Sequence, residues 1–137
     1  MGAYGLGSRL SVYHSTTRIG VAENILNGIN PAFFNPASRF GRGFYVGGSP
    51  STTLAELAYH GATRANTIQY SLLNRGFLNA TGPLANIGVK YTPKLMSRIS
   101  QKLGYEGILF QSLRSQGGIN FVLFNNFGKL QNGTIIF

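Results

Sequence analysis

Along residues 10–15 (LSVYHS) apolar and polar side chains alternate, a period of two that predicts a half-buried strand. The Ser-Thr-Thr run at its end offers hydroxyls to cap a following helix. Ile19, Ala22, Ile25 and Leu26 then fall at helical spacing, and Asn27-Gly28 supplies a stop. Residues 31–42 carry two Pro and three Phe with neither period and read as a loop. A short strand is expected over 43–47 (GFYVG). Ser49-Pro50-Ser51 opens a second helix, since Pro is tolerated in a first turn. Leu54, Leu57 and Ala58 are its apolar face, and Gly61 ends it.

Alternation returns over 67–73 (TIQYSLL), and 76–80 can form another strand. Thr92-Pro93 starts a third helix whose stripe is Leu95, Met96, Ile99 and Leu103, with Gly104 as its stop. Strands are expected at 107–110 and 119–124 around a Gly-Gly loop, and a last edge strand at 129–137. About six short strands and three short helices, interleaved at short intervals, indicate an α+β fold. With 137 residues the chain holds one domain, expected over 10–137 behind a flexible lead-in at 1–9. No apolar run approaches the length of a membrane-spanning helix, and residues 1–10 lack the apolar centre of a signal peptide. No membrane insertion is expected.

Charge changes the picture more than composition does. Twelve Lys and Arg stand against three acidic residues, Glu23, Glu56 and Glu106, for a net charge of +9. The positive residues are scattered, so the fold itself must present them to an anionic partner such as nucleic acid, anionic lipid or an acidic protein. The absence of Cys removes disulfides and thiol nucleophiles, and two His with three Glu and no Asp argue against a dedicated metal site.

So few acids can be taken one by one. Glu23 is expected in the first turn of the first helix, complementing its dipole. Glu106 lies in the tight turn Gly104-Tyr105-Glu106-Gly107, and Glu56 near the edge of the buried face of the second helix. His14 ends the first strand beside Ser15 and Thr16. Residues 39–43 (RFGRG) form a Gly-rich turn with two guanidiniums, Arg39 and Arg42, of the kind that grips phosphate. Ser112 and Arg114 follow an apolar strand, and without Asp any triad would have to use Glu.

In chain order, YHSTT (13–17), AENILNGI (22–29), SRFGRGFYV (38–46), TLAEL (53–57), LGYEGILFQSLR (103–114) and NFVLF (120–124) resemble an NAD-handling toxin domain. The first half is similar to diphtheria-toxin and PARP-type ADP-ribosyltransferases, with their split β-sheet core. The second half resembles the RES domain, named for an Arg, a Glu and a Ser. The same order also resembles carboxy-terminal toxin domains of Rhs-type polymorphic toxins. The resemblance implies that His14 binds the NAD ribose with Ser15 and Thr16 alongside, and that Tyr45 stacks on nicotinamide. It further implies that Arg39 or Arg42 reaches the pyrophosphate, that Ser112 is the RES serine, and that Glu56 is the catalytic carboxylate with Glu106 in reserve. PARP-type enzymes carry that Glu on a late strand, and this chain has no acid after Glu106; RES domains often have Arg where this chain has His14.

The chemistry suits those residue types. Breaking the nicotinamide–ribose bond passes through an oxocarbenium-like state that one carboxylate can stabilise without a metal. The expected function is an antibacterial toxin that cleaves NAD and transfers ADP-ribose to a macromolecule. RNA, with ribosomal RNA favoured, is expected ahead of a protein acceptor. An NAD glycohydrolase or phosphorylase is the alternative, and a non-catalytic basic nucleic-acid-binding module the second. The resemblance also implies delivery by a secretion system into the cytoplasm of a target cell, and a cognate, acidic immunity protein.

Overall fold

In a computed structural model, residues 8–81 and 92–136 are described. Their order is β1 (Ser8–Thr16), α1 (Ile19–Leu26), β2 (Phe44–Gly47), α2 (Pro50–Tyr59), β3 (Asn66–Asn74), β4 (Phe77–Asn79), α3 (Pro93–Lys102), β5 (Gly107–Gln111), β6 (Ile119–Leu123) and β7 (Leu130–Ile135). The α+β expectation holds, with seven strands where about six were expected. All seven join one sheet in the order β4-β5-β6-β2-β1-β3-β7. Only β4 and β5 run parallel; the other neighbours are antiparallel.

The sheet has a weak centre. β1 pairs with β3 along its whole length, from Ser8↔Asn74 to Thr16↔Asn66, and β2 pairs with β6 over four residues. Between β1 and β2 the ladder is the single pair Tyr13↔Gly47. Two well-knit halves, β4-β5-β6-β2 and β1-β3-β7, therefore meet at a seam one residue pair long.

Strand alternation assigns the two faces. Val12, Ile68, Leu72, Phe44, Val46, Phe121 and Leu123 point to one face, where Ala22 of α1 is fully buried among them. Ile108, Phe110 and Val122 point to the other, beneath Met96 of α3 and Phe40. Removing such side chains from water supplies about 1.5–3 kcal/mol each, the main term holding both layers. α2 lies on the second face too: a Cβ at Gly47 would stand 2.8 Å from Thr53 Cγ2, so only glycine lets this helix sit so low.

Several local expectations are corrected. α1 is not capped by the Ser-Thr-Thr hydroxyls; Arg18 is its N-cap without a side-chain bond, and Thr16 Oγ1 instead donates to the Arg18 carbonyl at 3.0 Å. Ser49 and Thr92 do cap α2 and α3, accepting from Thr52 N and Leu95 N. Glu23 lies in the second turn of α1, not the first. On α2 the buried residue is Thr52, while Ala58 is exposed. On α3 the buried residues are Met96, Ser97 and Ser100, and the expected stripe members Ile99 and Leu103 face solvent. Ser100 can be buried because its hydroxyl donates to the Met96 carbonyl at 2.7 Å. β1 starts at Ser8, two residues ahead of the expected domain; of the proposed lead-in, 1–7 lie outside the described residues. β7 starts after Lys129, which belongs to the turn Phe127–Lys129, and Phe137 also lies outside them.

Candidate functional site

His14 stands at the seam. Its ring stacks on Phe44 of the facing strand, with centroids 4.3 Å apart and planes at 21°. Nδ1 meets the Tyr45 carbonyl at 2.7 Å, so the bond that ladder pairing does not provide beyond Tyr13↔Gly47 comes from a side chain. Because a carbonyl only accepts, Nδ1 carries the proton and Nε2 is left as an acceptor in the neutral ring. Burial holds the imidazole below its ordinary range, and the hydrogen bond to Tyr45 opposes that only in part. A neutral His14 with an acceptor nitrogen is therefore the resting state near pH 7.

A cleft of about 570 Å³ opens over His14 on the α1 face. Its walls come from α1 (Asn24, Ile25), the loop that follows (Asn30, Phe33, Phe34) and the strand ends at Thr16 and Phe44. Phe33 is 84% exposed, an aromatic ring left standing at the rim. Volume and lining match a small-molecule site: apolar walls with a few amides and one imidazole.

The second face gathers another set. Tyr45 leaves β2 opposite Phe44; its ring packs against Phe110 at 6.4 Å, its hydroxyl donates to the Gly41 carbonyl at 2.8 Å, and it accepts from Phe40 N at 3.0 Å. Burial pushes the phenol up to about 12, against the pull of Phe40 N–H and the Arg39 charge. Arg39 lies over the Phe40 and Phe110 rings and donates from Nη1 to the Gln111 carbonyl at 3.4 Å. Partial burial lowers its pKa; Tyr45 counteracts this and Arg114 adds to it, so both guanidiniums share one field. Ser112 Oγ accepts from Arg114 N at 3.1 Å and Ser115 N at 3.0 Å, ordering the loop that carries Arg114. Arg114 lies 3.4 Å from the Tyr59 ring centroid with Nε 3.7 Å from Glu56 Oε2, and His60 Nε2 is 3.2 Å from Oε1 of the same carboxylate.

Helix α2 holds this group in place. Ser15 Oγ lies 2.6 Å from Thr53 Oγ1 and 2.8 Å from Thr67 Oγ1, a hydroxyl chain tying α2 to β1 and β3. At its other side a Cβ on Gly118 would stand 2.6 Å from Thr52 Oγ1, so the loop after β5 is seated on the start of α2. Glu56 and Arg114 are thus carried by two elements in direct contact.

The expected site residues divide accordingly. His14 and Thr16 line the cleft on the α1 face. The side chains of Ser15, Arg39, Tyr45, Glu56 and Ser112 belong to the opposite face, although Tyr45 also contributes to the lining of the cleft; Ser15 is committed to Thr53 and Ser112 acts as a turn cap. The side chains of His14 and Tyr45 do not meet; His14 touches only the Tyr45 backbone. Arg42 points away toward α3. Glu56, expected near the buried edge of its helix, has a side chain 53% exposed. Glu106, the expected reserve, is held in an ion pair: its Oε1 lies 3.0 Å from Nζ of the buried Lys129, which also donates to the Arg75 carbonyl. Burial alone would raise the Glu106 pKa, but the hydrogen bonds from Lys129 and Asn126 and the charges of Lys129 and Arg75 hold it below the ordinary range. Sequence reasoning missed Tyr59 and His60, although their i+3 and i+4 spacing from Glu56 was a usable signal. It also missed Phe33 and Phe34, which lay in a loop without periodicity.

No family model matches the chain, and no curated protein matches it either. Among solved structures, a chain of the M. tuberculosis MbcT-MbcA toxin-antitoxin complex is similar, with a TM-score of 0.57 and 14% sequence identity. The similarity covers 96% of this chain and 86% of that one. At that identity the likeness concerns the fold, which agrees with the mixed sheet and three helices described above.

Proposed function

We propose that this chain is an enzymatic toxin of ADP-ribosyltransferase-like architecture that breaks the nicotinamide–ribose bond of NAD and passes ADP-ribose to a macromolecule, RNA first among the acceptors. The observation that carries this reading is His14 at the seam: a neutral imidazole whose Nδ1 is fixed by the Tyr45 carbonyl and whose Nε2 accepts a hydroxyl, here one of the ribose. The cleft above it suits a nucleotide in volume. Similarity to a chain of a toxin-antitoxin complex supports the toxin role and a cognate antitoxin or immunity protein, and the net charge of +9 is what suggests an acidic one. Delivery into the cytoplasm of a target cell belongs to the same reading.

NAD lies across the seam, where the halves of the sheet part. His14 orients the ribose from one side; Arg39 and Arg114 offer positive charge to the pyrophosphate from the other. As the bond from C1′ to the nicotinamide nitrogen lengthens, nicotinamide leaves with the electron pair and positive charge builds on the ribose. Because Glu56 stands on the opposite face from His14, this reading requires the ribose to reach through the gap in the ladder beside Tyr13↔Gly47, where the Glu56 carboxylate stabilises that charge. An acceptor hydroxyl or amine then bonds to C1′ and its proton passes to the Glu56 carboxylate or to solvent. The exposure of Glu56 favours a second reading in which water is the acceptor and the enzyme is an NAD glycohydrolase.

The test uses NAD labelled on its adenylate half, the purified protein and total bacterial lysate. Label in a nuclease-sensitive macromolecule is the expected result; label in a protease-sensitive one moves the acceptor to protein. Free ADP-ribose alone would favour the hydrolase, and intact NAD under every condition would overturn both readings.

A further inference from the structure

On the α3 face of the sheet a second open groove, about 600 Å³ in volume, runs between α3 and the turn before β2. Lys94 and Arg98, four residues apart, rise from the exposed side of α3, and Arg42 lines the same groove from the turn. None of the three makes an ion pair among the described residues, whereas Lys129 and Arg114 each have a carboxylate. No carboxylate is among the described residues that line the groove. Three cations without an ion pair among the described residues converge on one trough and repel each other, and no described carboxylate lines it to offset that. The floor is aromatic, with Phe40 buried and Phe34 and Phe124 half-buried.

We propose that this groove binds a single strand of RNA through its backbone. Side chains one helical turn apart have Cβ atoms about 5–6 Å from each other, which lets Lys94 and Arg98 each take a phosphate. Arg42 takes a further phosphate from the opposite wall. The parts of the Phe34 and Phe124 rings that remain exposed along the groove provide surfaces on which bases stack without sequence preference. Phe34 also lines the His14 cleft, so a strand held in the groove runs to the edge of that cleft. As the place where an acceptor is held, the groove rests on the NAD reading above; as an RNA-binding surface it stands alone.

The experiment measures binding of a fluorescein-labelled oligouridylate to the full chain by anisotropy over a series of NaCl concentrations. It compares the wild type with the Lys94→Ala/Arg98→Ala variant. Both residues are exposed, and a thermal melt checks that the variant is folded. The expected result is affinity that falls with salt in the wild type. In the variant, binding is weaker by about tenfold and the log–log salt slope is shallower by about 1.4, the loss of two phosphate contacts to a single strand. Nicotinamide release from NAD without RNA is unchanged in the variant. Wild-type affinity and slope in the variant would overturn the proposal. So would poly-glutamate binding as tightly as the RNA and being lost in the same variant, because the surface would then be made for an acidic protein. RNA binding as described with NAD left intact would uphold the groove and refute the NAD reading separately.

Discussion

His14 donates from Nδ1 to the carbonyl of Tyr45 at 2.7 Å, yet the two side chains leave the sheet on opposite faces. One imidazole thereby closes the seam between the halves of the sheet and presents an acceptor nitrogen to the cleft. The two tasks can be separated by substitution. His14→Asn can keep a donor toward Tyr45 while removing the Nε2 acceptor; His14→Ala removes both. The first variant is expected to melt close to the wild type but release nicotinamide about 100-fold more slowly. The second is expected to lose thermal stability as well. Equal activity of His14→Asn and wild type in a nicotinamide-release assay would remove His14 from the mechanism.

Acid should loosen the seam. Burial holds the His14 pKa below the ordinary value of 6.5, so in the window between the two values the unfolded chain binds the extra proton and the folded chain does not. His14 therefore contributes stability that is complete above the unfolded value and lost as pH falls through the folded one. Melting temperature should decline as pH falls below the ordinary imidazole value of 6.5, and less so in His14→Asn. Parallel decline in both proteins would place the sensitivity elsewhere.

Glu56 is the carboxylate on which the proposed chemistry depends, and the Arg114 guanidinium lies beside it, Nε 3.7 Å from Oε2. Glu56→Gln keeps the shape and exposed position of the side chain, so the fold should be retained. Nicotinamide release should fall by about 100-fold or more. Arg114→Lys keeps the charge but gives up the planar contact with Tyr59, and an intermediate loss is expected. Toxicity on expression in bacteria should follow the same order. A fully active Glu56→Gln would show that no carboxylate at this position takes part.

The pair Glu106–Lys129, formed between the turns that precede β5 and β7, is expected to serve stability alone. Glu106→Gln leaves a buried ammonium without its carboxylate and should cost about 2 kcal/mol by urea denaturation. Nicotinamide release per folded molecule should be unchanged. Lys129→Met in the same chain should restore part of the loss, because it removes the orphaned charge.

How much of this could be read beforehand depended on whether the signal was local. Strand alternation in 10–15 and 67–73, the caps Ser49 and Thr92, and the glycines that end α2 and α3 were legible because each acts over a few residues. The buried side of α3 was not, since Ser97 and Ser100 occupy it and hydrophobicity points instead to the exposed Ile99 and Leu103. His14 stood out at a strand end. That its ring and the Tyr45 ring would lie on opposite faces follows from the register of β1 against β2, a single distant pair that no local pattern encodes. The same holds for Lys129, which finds Arg75 and Glu106 only once β7 has closed the edge of the sheet.

The most direct measurement of the central claim is nicotinamide released from NAD by the purified wild-type protein, followed by chromatography beside Glu56→Gln and His14→Asn. The expected result is turnover by the wild type and near-complete loss in both folded variants. Undiminished release by both variants, or intact NAD in every sample including those supplied with RNA and lysate, would contradict it.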